Sequence, residues 1–271
     1  MKIQFKHNGI TVFESSLYRT TTTIIELGES ILIIDPNWLP IEIEYLQNYI
    51  TLNYNDHQKY LLFTHSDFDH ILGYGAFPGA KVIASVAFVK NENKNEILDQ
   101  ILEFDRKYYI SRYYPIVYPA TDIVIEKDYY SYSIENFECI FFNAPGHSKD
   151  GLFMIIPEKN LWVAGDYLSN IEIPLIDDNF ESYTTTLKKA MEIFTEFSDV
   201  HILIQGHGDI TKERAEIQQR IENDTSYLKM LKKYSLNPNQ IDLIELEKFV
   251  LKYANNTELL DANKNNIKQL K

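Results

Sequence analysis

Four of the seven histidines stand at the ends of apolar runs, each beside glycine or aspartate: His65 and His70 in THSDFDH, His147 in APGHS and His207 in QGHGD. Imidazole and carboxylate groups suit zinc, iron and manganese, and shared carboxylates can hold two such ions about 3.5–4 Å apart. In an extended segment alternate side chains point the same way. His65 and Asp67 can therefore face one ion, while a turn at Phe68 sends Asp69 and His70 towards a second. Asp166, at the end of the run LWVAGD, adds another carboxylate. One histidine near a strand end is ordinarily a hydrogen-bonded structural residue; a whole set of titratable groups there needs partners, which metal ions would supply.

Such groups need rigid elements behind them, and α/β folds place their chemistry in the loops after strand ends. Residues 10–13 read as a strand and 22–35 as a hairpin, TTIIEL and SILIID around Gly28 to Ser30. An amphipathic helix at 41–50 and a buried strand at 59–64 lead into the THSDFDH segment. A brief helix at 71–77, a strand at 80–85 and a charged, aromatic helical stretch at 88–112 follow; the last could cover a site. Next come DIVIE, YSYSI, FECIFFNA, GLFMIIP and NLWVAGD as short strands, with Pro157 to Asn160 as a hairpin turn. A helix at 181–197, a core strand at 201–206 and a helix at 211–234 complete two halves, each of strands then helix. The expected organisation is one domain over 1–234 and a helical tail over 235–271, packed on it or extending from it.

Composition narrows the partners. The 271 residues are 45% hydrophobic, enough for a large core. Thirty-nine acidic against 26 basic residues give a net charge of −13 with no compensating basic run, which disfavours nucleic acid and favours a small-molecule substrate. Homodimerisation stays open. The one cysteine, Cys139, lies in the apolar run 137–142 and reads as a buried core thiol. No signal-peptide pattern and no apolar stretch of membrane-spanning length occurs, so the expected location is the cytoplasm.

In their order HSDFDH, PGHS, AGD and GHG, the motifs resemble those of the metallo-β-lactamase-fold hydrolase superfamily, whose pattern is His-x-His-x-Asp-His, a later Gly-His, an Asp ending a strand and a last His. TTTIIELGESILIIDP resembles the family's opening hairpin and ILGYGAFPGAKVIAS its next helix and strand, so the likeness covers about residues 10–210. It implies a four-layer αββα sandwich of two mixed β-sheets flanked by helices. It also implies that His65, Asp67 and His147 bind one metal and Asp69, His70 and His207 a second, with Asp166 bridging. Asp67 departs from the pattern, standing where most members have the second histidine. Two divalent ions would then be balanced by three carboxylates and one hydroxide, so the cluster is formally neutral and attracts anionic substrates less. Zinc is the first expectation for the pair, and the extra oxygen ligand moves the preference towards iron or manganese.

The function implied is a dinuclear metal-dependent hydrolase whose metal-bound hydroxide cleaves a small-molecule ester, thioester, lactone or phosphodiester, with Asp69 orienting the hydroxide as catalytic residue. Asp35 reads equally as a partner of the site or as a strand-end turn residue, Tyr167 as a packing residue and Ser148 as a turn former. One alternative is a di-iron redox enzyme similar to flavodiiron oxygen reductases, although nothing after residue 210 resembles a flavodoxin. Another is a non-catalytic binding module braced by metals.

Overall fold

The computed structural model describes residues 1–253 and 257–270. Part of the expected tail, 254–256 and 271, thus lies outside the described residues. The first sheet has seven strands in sequential order: β1 (Lys2–His7), β2 (Ile10–Glu14), β3 (Thr21–Leu27), β4 (Ser30–Ile34), β5 (Gln58–Leu62), β6 (Lys81–Ser85) and β7 (Ile123–Ile125). Its first four strands pair antiparallel and β4 to β7 pair parallel. The second has five: β8 (Tyr130–Ile134), β9 (Phe137–Asn143), β10 (Leu152–Ile156), β11 (Leu161–Val163) and β12 (Ile202–Ile204), antiparallel except for the parallel pair β11 and β12. Parallel neighbours need crossovers, and helices supply most of them. Helix α1 (Pro40–Tyr54) joins β4 to β5, the short α2 (Phe68–Ile71) lies between β5 and β6, α3 (Val86–Val89) and α4 (Lys94–Tyr108) between β6 and β7, and α5 (Phe180–Glu196) between β11 and β12. Three helices follow β12: α6 (Arg214–Leu236), α7 (Gln240–Val250) and α8 (Thr257–Gln269).

Buried apolar side chains separate into three clusters that are the seams of a four-layer αββα sandwich. Leu32, Ile34 and Leu62 from the first sheet meet Phe141, Met154 and Val163 from the second. Because side chains alternate along a strand, Ile31, Ile33, Leu61 and Phe63 point the other way, onto Ile43, Leu46 and Ile50 of α1. On the far side, Phe142, Phe153 and Leu203 pack against Leu187 and Ala190 of α5 and Ile217 and Ile221 of α6. Strands β4 and β10 are buried on both faces, which explains why their sequences are unbroken apolar runs. Leu246, Val250, Leu259 and Ile267, from α7 and α8, belong to the same cluster as α5 and α6, so the tail helices share the core.

Several elements differ from the reading of the sequence. The edge strand β1 was not expected; it is joined to β2 by Asn8 and Gly9, both with positive φ (49° and 72°), the backbone that an Asn-Gly hairpin turn takes. The single helical stretch expected over 88–112 divides into α3 and α4, with a break at 90–93. The brief helix expected at 71–77 is instead α2, which starts inside the histidine motif, followed by a 3-10 turn at Tyr74–Ala76. Helix α6 begins at Arg214 because Thr211 is still bridged to Leu203. A 3-10 turn at Pro157–Lys159 takes the place of a plain hairpin turn. Cys139 is wholly buried, and burial pushes its thiol up to about 12, so it is a core residue. No helix among the described residues is long and apolar enough to cross a membrane.

The seam between the sheets should dominate stability. Phe141→Ala empties a fully buried position there and should cost roughly 3–5 kcal/mol, whereas Leu52→Ala, at a site 84% exposed, should stay within about 0.5 kcal/mol. Urea unfolding of both variants measures the difference, and equal midpoints would contradict this layering.

Candidate metal centre

The ends of the central strands meet at one edge of the sandwich. Asp35 follows β4, His65 to His70 follow β5, His147 follows β9, Asp166 follows β11 and His207 follows β12. Backbone hydrogen bonds pin the two sheets together there: Thr21 N–H to Gly206 O at 2.7 Å and Leu152 N–H to Thr64 O at 2.8 Å. Asp67 keeps extended backbone immediately before α2, and the helix then turns Asp69 and His70 away from it.

All seven residues singled out in the sequence converge. His65, Asp67, His147 and Asp166 present one group of ligand atoms, and Asp69, His70 and His207 a second. Within the first, His147 Nε2 is 3.1 Å and His65 Nε2 3.4 Å from Asp67 Oδ2. Within the second, Asp69 Oδ2 is 3.5 Å from His70 Nε2 and 3.3 Å from His207 Nε2. Asp166 stands between them: Oδ2 is 3.5, 3.4 and 3.3 Å from the Nε2 atoms of His65, His147 and His207, and Oδ1 is 3.2 Å from that of His70. Ligands about 2.0–2.1 Å from a tetrahedral zinc ion lie roughly 3.3–3.4 Å apart, so the spacing is that of a coordination shell.

The second ring nitrogen of every one of these histidines faces an oxygen. His70 Nδ1 lies 3.0 Å from Asp35 Oδ2, His65 Nδ1 3.0 Å from Thr64 Oγ1, His147 Nδ1 3.0 Å from Leu175 O and His207 Nδ1 3.0 Å from Tyr18 O. Donation from Nδ1 leaves each Nε2 lone pair free for a metal. The buried His65 Nε2, His70 Nε2 and Asp166 Oδ1 have no hydrogen-bond partner, as expected of atoms shaped for an ion. Gly206 makes room: a Cβ there would sit 1.9 Å from Asp166 Oδ1 and 2.9 Å from His70 Cε1. The residues present therefore fit a divalent metal pair.

Asp35 is a partner of the site, and the sequence left it undecided. Its carboxylate accepts from Thr64 N–H at 2.9 Å and Thr64 Oγ1 at 2.6 Å besides facing His70, so it orients one histidine directly and His65 through Thr64. Its φ of 46° is rare for a residue with a side chain, a sign that position outweighs local comfort. Thr20 and Trp38 were missed: the Trp38 indole donates to Thr20 Oγ1, which lies 3.3 Å from His207 Nδ1. Nothing in their spacing marks them, because the contact joins the residue before β3, the loop before α1 and the loop after β12. Tyr167 is buried; its hydroxyl accepts the His147 backbone N–H at 3.0 Å and donates to Pro145 O at 2.8 Å, so it positions the loop. Ser148 does not fix its turn by a side-chain bond; Gly146 N–H to Ser148 O closes it.

The model of the metallo-β-lactamase superfamily matches residues 18–207. The chain belongs to that superfamily. Among solved structures, it is similar to a stereoselective inverting sec-alkylsulfatase from a Pseudomonas species, with 15% identity and a TM-score of 0.66, covering 84% of this chain and 43% of that one. This chain thus spans less than half of that relative's length. Metallo-β-lactamases from Pontibacter korlensis (13% identity, TM-score 0.55, 82% of this chain and 97% of that one) and Hirschia baltica (16%, 0.56, 84% and 96%) share the fold over nearly their whole length. No curated protein matches the sequence. Members of the superfamily bind divalent metals, and the clustered His and Asp side chains are the residues here that could hold them.

Electrostatics couples metal to protons. Burial opposes the charged imidazoles, but the carboxylates of Asp166, Asp69 and Asp35 outweigh it and hold His70 up to about 10. In the same way Asp67 and Asp166 hold His147 up to about 9. Burial would raise Asp67 as well, yet the charge of His65 and the hydrogen bond and charge of His147 keep it well below the usual carboxylate range. Metal-free protein therefore carries imidazolium near pH 7, and each ion must expel protons. Metal affinity should rise with pH between about 6 and 9, with proton release seen by calorimetry in buffers of different ionisation enthalpy; a pH-independent affinity would exclude these histidines as ligands. Asp166→Ala and His147→Ala should each weaken metal binding, with the far-ultraviolet circular dichroism preserved.

Proposed function

We propose that the chain is a dinuclear metal-dependent hydrolase of a small, uncharged acyl compound: a carboxylic ester, thioester or lactone. The observation that carries this reading is that the donor atoms of both ligand groups open onto one large cavity. Asp67, Asp69, His147, Asp166 and His207 form its floor, and its volume is ≈ 1030 Å³. Two bound divalent ions would polarise the substrate oxygen and supply a nucleophilic hydroxide near neutral pH.

The chain's own residues set what enters. Trp38, Phe68, Phe104, Tyr108, Ile171 and Leu175 give the cavity an apolar wall, α4 contributing two of them. Arg19 is the one Lys or Arg among the described lining residues, and it is held by Glu14 and Asp209. Glu172 and Asp177 add carboxylates, both pushed up by burial. A phosphodiester or sulfate ester would find no free cation on this wall, so a neutral acyl group with an apolar flank suits it better. Asp69, facing the cavity from the start of α2, is placed to orient the attacking water and take its proton.

Metal-reconstituted protein of measured content should hydrolyse neutral ester, thioester or lactone probes at least tenfold faster, as kcat/KM, than a phosphodiester. Full activity without metal, or a preference for the anionic probe, would overturn the reading. Asp69→Asn should lower kcat by about 10²–10⁴-fold. Asp67→His should shift competitive loading from iron or manganese towards zinc; unchanged selectivity would show that Asp67 does not touch the metal.

A further inference from the structure

Two asparagines in α8 are almost wholly buried, Asn263 and Asn266, on a helix that also carries Asp261, Lys264, Asn265 and Lys268. A buried amide costs stability unless its donors and acceptor are satisfied, so its partners show what the burial achieves. Asn266 Oδ1 accepts from Ile176 N–H at 3.0 Å, while Nδ2 donates to Pro174 O at 2.6 Å and to the Tyr227 hydroxyl at 2.8 Å. That hydroxyl donates to Asn263 Oδ1 at 2.9 Å, fixing the amide from behind. One side chain thus holds the backbone on both sides of Leu175. Leu175 O is the acceptor for His147 Nδ1, and Asp177 N–H donates to His147 O at 3.0 Å. Hydrogen bonds from α8 to loop 174–177, and from that loop to the imidazole of His147, thus connect the helix to the ligand through three residues of backbone.

The same helix reaches the cavity. Glu258, Leu259 and Ala262, in the first turns of α8, line it together with the metal-facing residues.

We propose that α8 is a working part of the site: Asn266 is a positioning residue for His147, and Leu259 and Ala262 set the size of substrate the cavity takes. The inference rests on the metal-centre reading above. Removing the partner that orients a ligating histidine typically weakens metal binding about 10–100-fold. Asn266 acts on His147 alone, so the effect falls on one ion of two, which general loss of stability would not produce. The group of Asp69, His70 and His207 draws its orientation from Asp35 and Tyr18 and lies off this path.

The test is chelator competition on full-length, zinc-loaded protein. Wild type should release two ions, and Asn266→Leu should lose one of them about 10–100-fold more easily while retaining the other; Leu246→Ala, a buried core change in α7 off the path, should lower the melting temperature with both affinities unchanged. Should Asn266→Leu not fold, Asn266→Asp keeps shape and acceptor but loses the donation to Pro174 O, and should weaken the same ion. Equal affinities for both ions in the folded variant would overturn the role of Asn266. Ala262→Phe should raise KM for acyl substrates with long apolar chains at least tenfold over that for acetyl esters; an unchanged ratio would overturn the role of the wall. Failure of wild type to bind zinc would instead refute the metal-centre reading.

Discussion

Four buried imidazoles and three partly exposed carboxylates gather around one point, and that arrangement survives only because each ring nitrogen turned away from the centre is tied to an oxygen. An unpaired buried polar group costs about 1–3 kcal/mol, and a misdirected ring would also lose its lone pair to the wrong neighbour. Asp35 bears the largest share, since its carboxylate serves His70 and, through Thr64, His65, one histidine from each ligand group. That shared anchor fixes the relative placement of the groups more firmly than separate anchors would. A carboxyl group hydrogen-bonded to the far nitrogen of a ligating imidazole also makes that imidazole a stronger donor.

The sandwich supplies what such a cluster requires. Parallel strands β4 and β5 and the paired β11 and β12 end at the same edge, and each is followed by a loop with backbone groups to spare. Glycine appears where the chain must pass close to the ligands, as at Gly206 against Asp166. Rigidity comes from seams that are apolar and fully buried, so the cost of the polar cluster is set against three clusters of packed side chains.

Much of this was legible in the residues. Apolar runs bounded by turn residues located β3 to β6 and β9 to β12, because strands buried on both faces leave a dense signal. The donor set was readable because histidine and aspartate at strand ends are few and chemically demanding. Less legible were features made by contact between distant segments. Thr20, Trp38 and Leu175 serve the site through geometry that no local spacing records, and Asp35 looks like any aspartate before a proline. Strand β1 was overlooked although Asn8-Gly9 advertises its hairpin, since half-exposed edge strands lack the apolar density of the interior. The tail reads from sequence only as a helical segment packed on the domain or extending from it, and tertiary packing reveals that Asn263 and Asn266 are interior.

Charge connects the centre to its surroundings. Replacing the usual second histidine by Asp67 adds a carboxylate to the cluster, and the cavity wall adds Glu172 and Asp177 while its one guanidinium, Arg19, is already paired. In a medium of low dielectric these charges are felt over several ångströms, so an anionic substrate would meet repulsion before reaching the ions. The apolar wall works in the same direction, since burying an alkyl or aromatic flank gains roughly 25 cal/mol per Å² whatever the charge of the reacting group. Ligand set, wall and net charge of −13 all favour the neutral acyl substrate proposed above, although they arise from separate parts of the sequence. Had the wall carried a free arginine aimed at the floor, the balance would have reversed, because a desolvated guanidinium pairs with phosphate or sulfate more strongly than any of these apolar contacts.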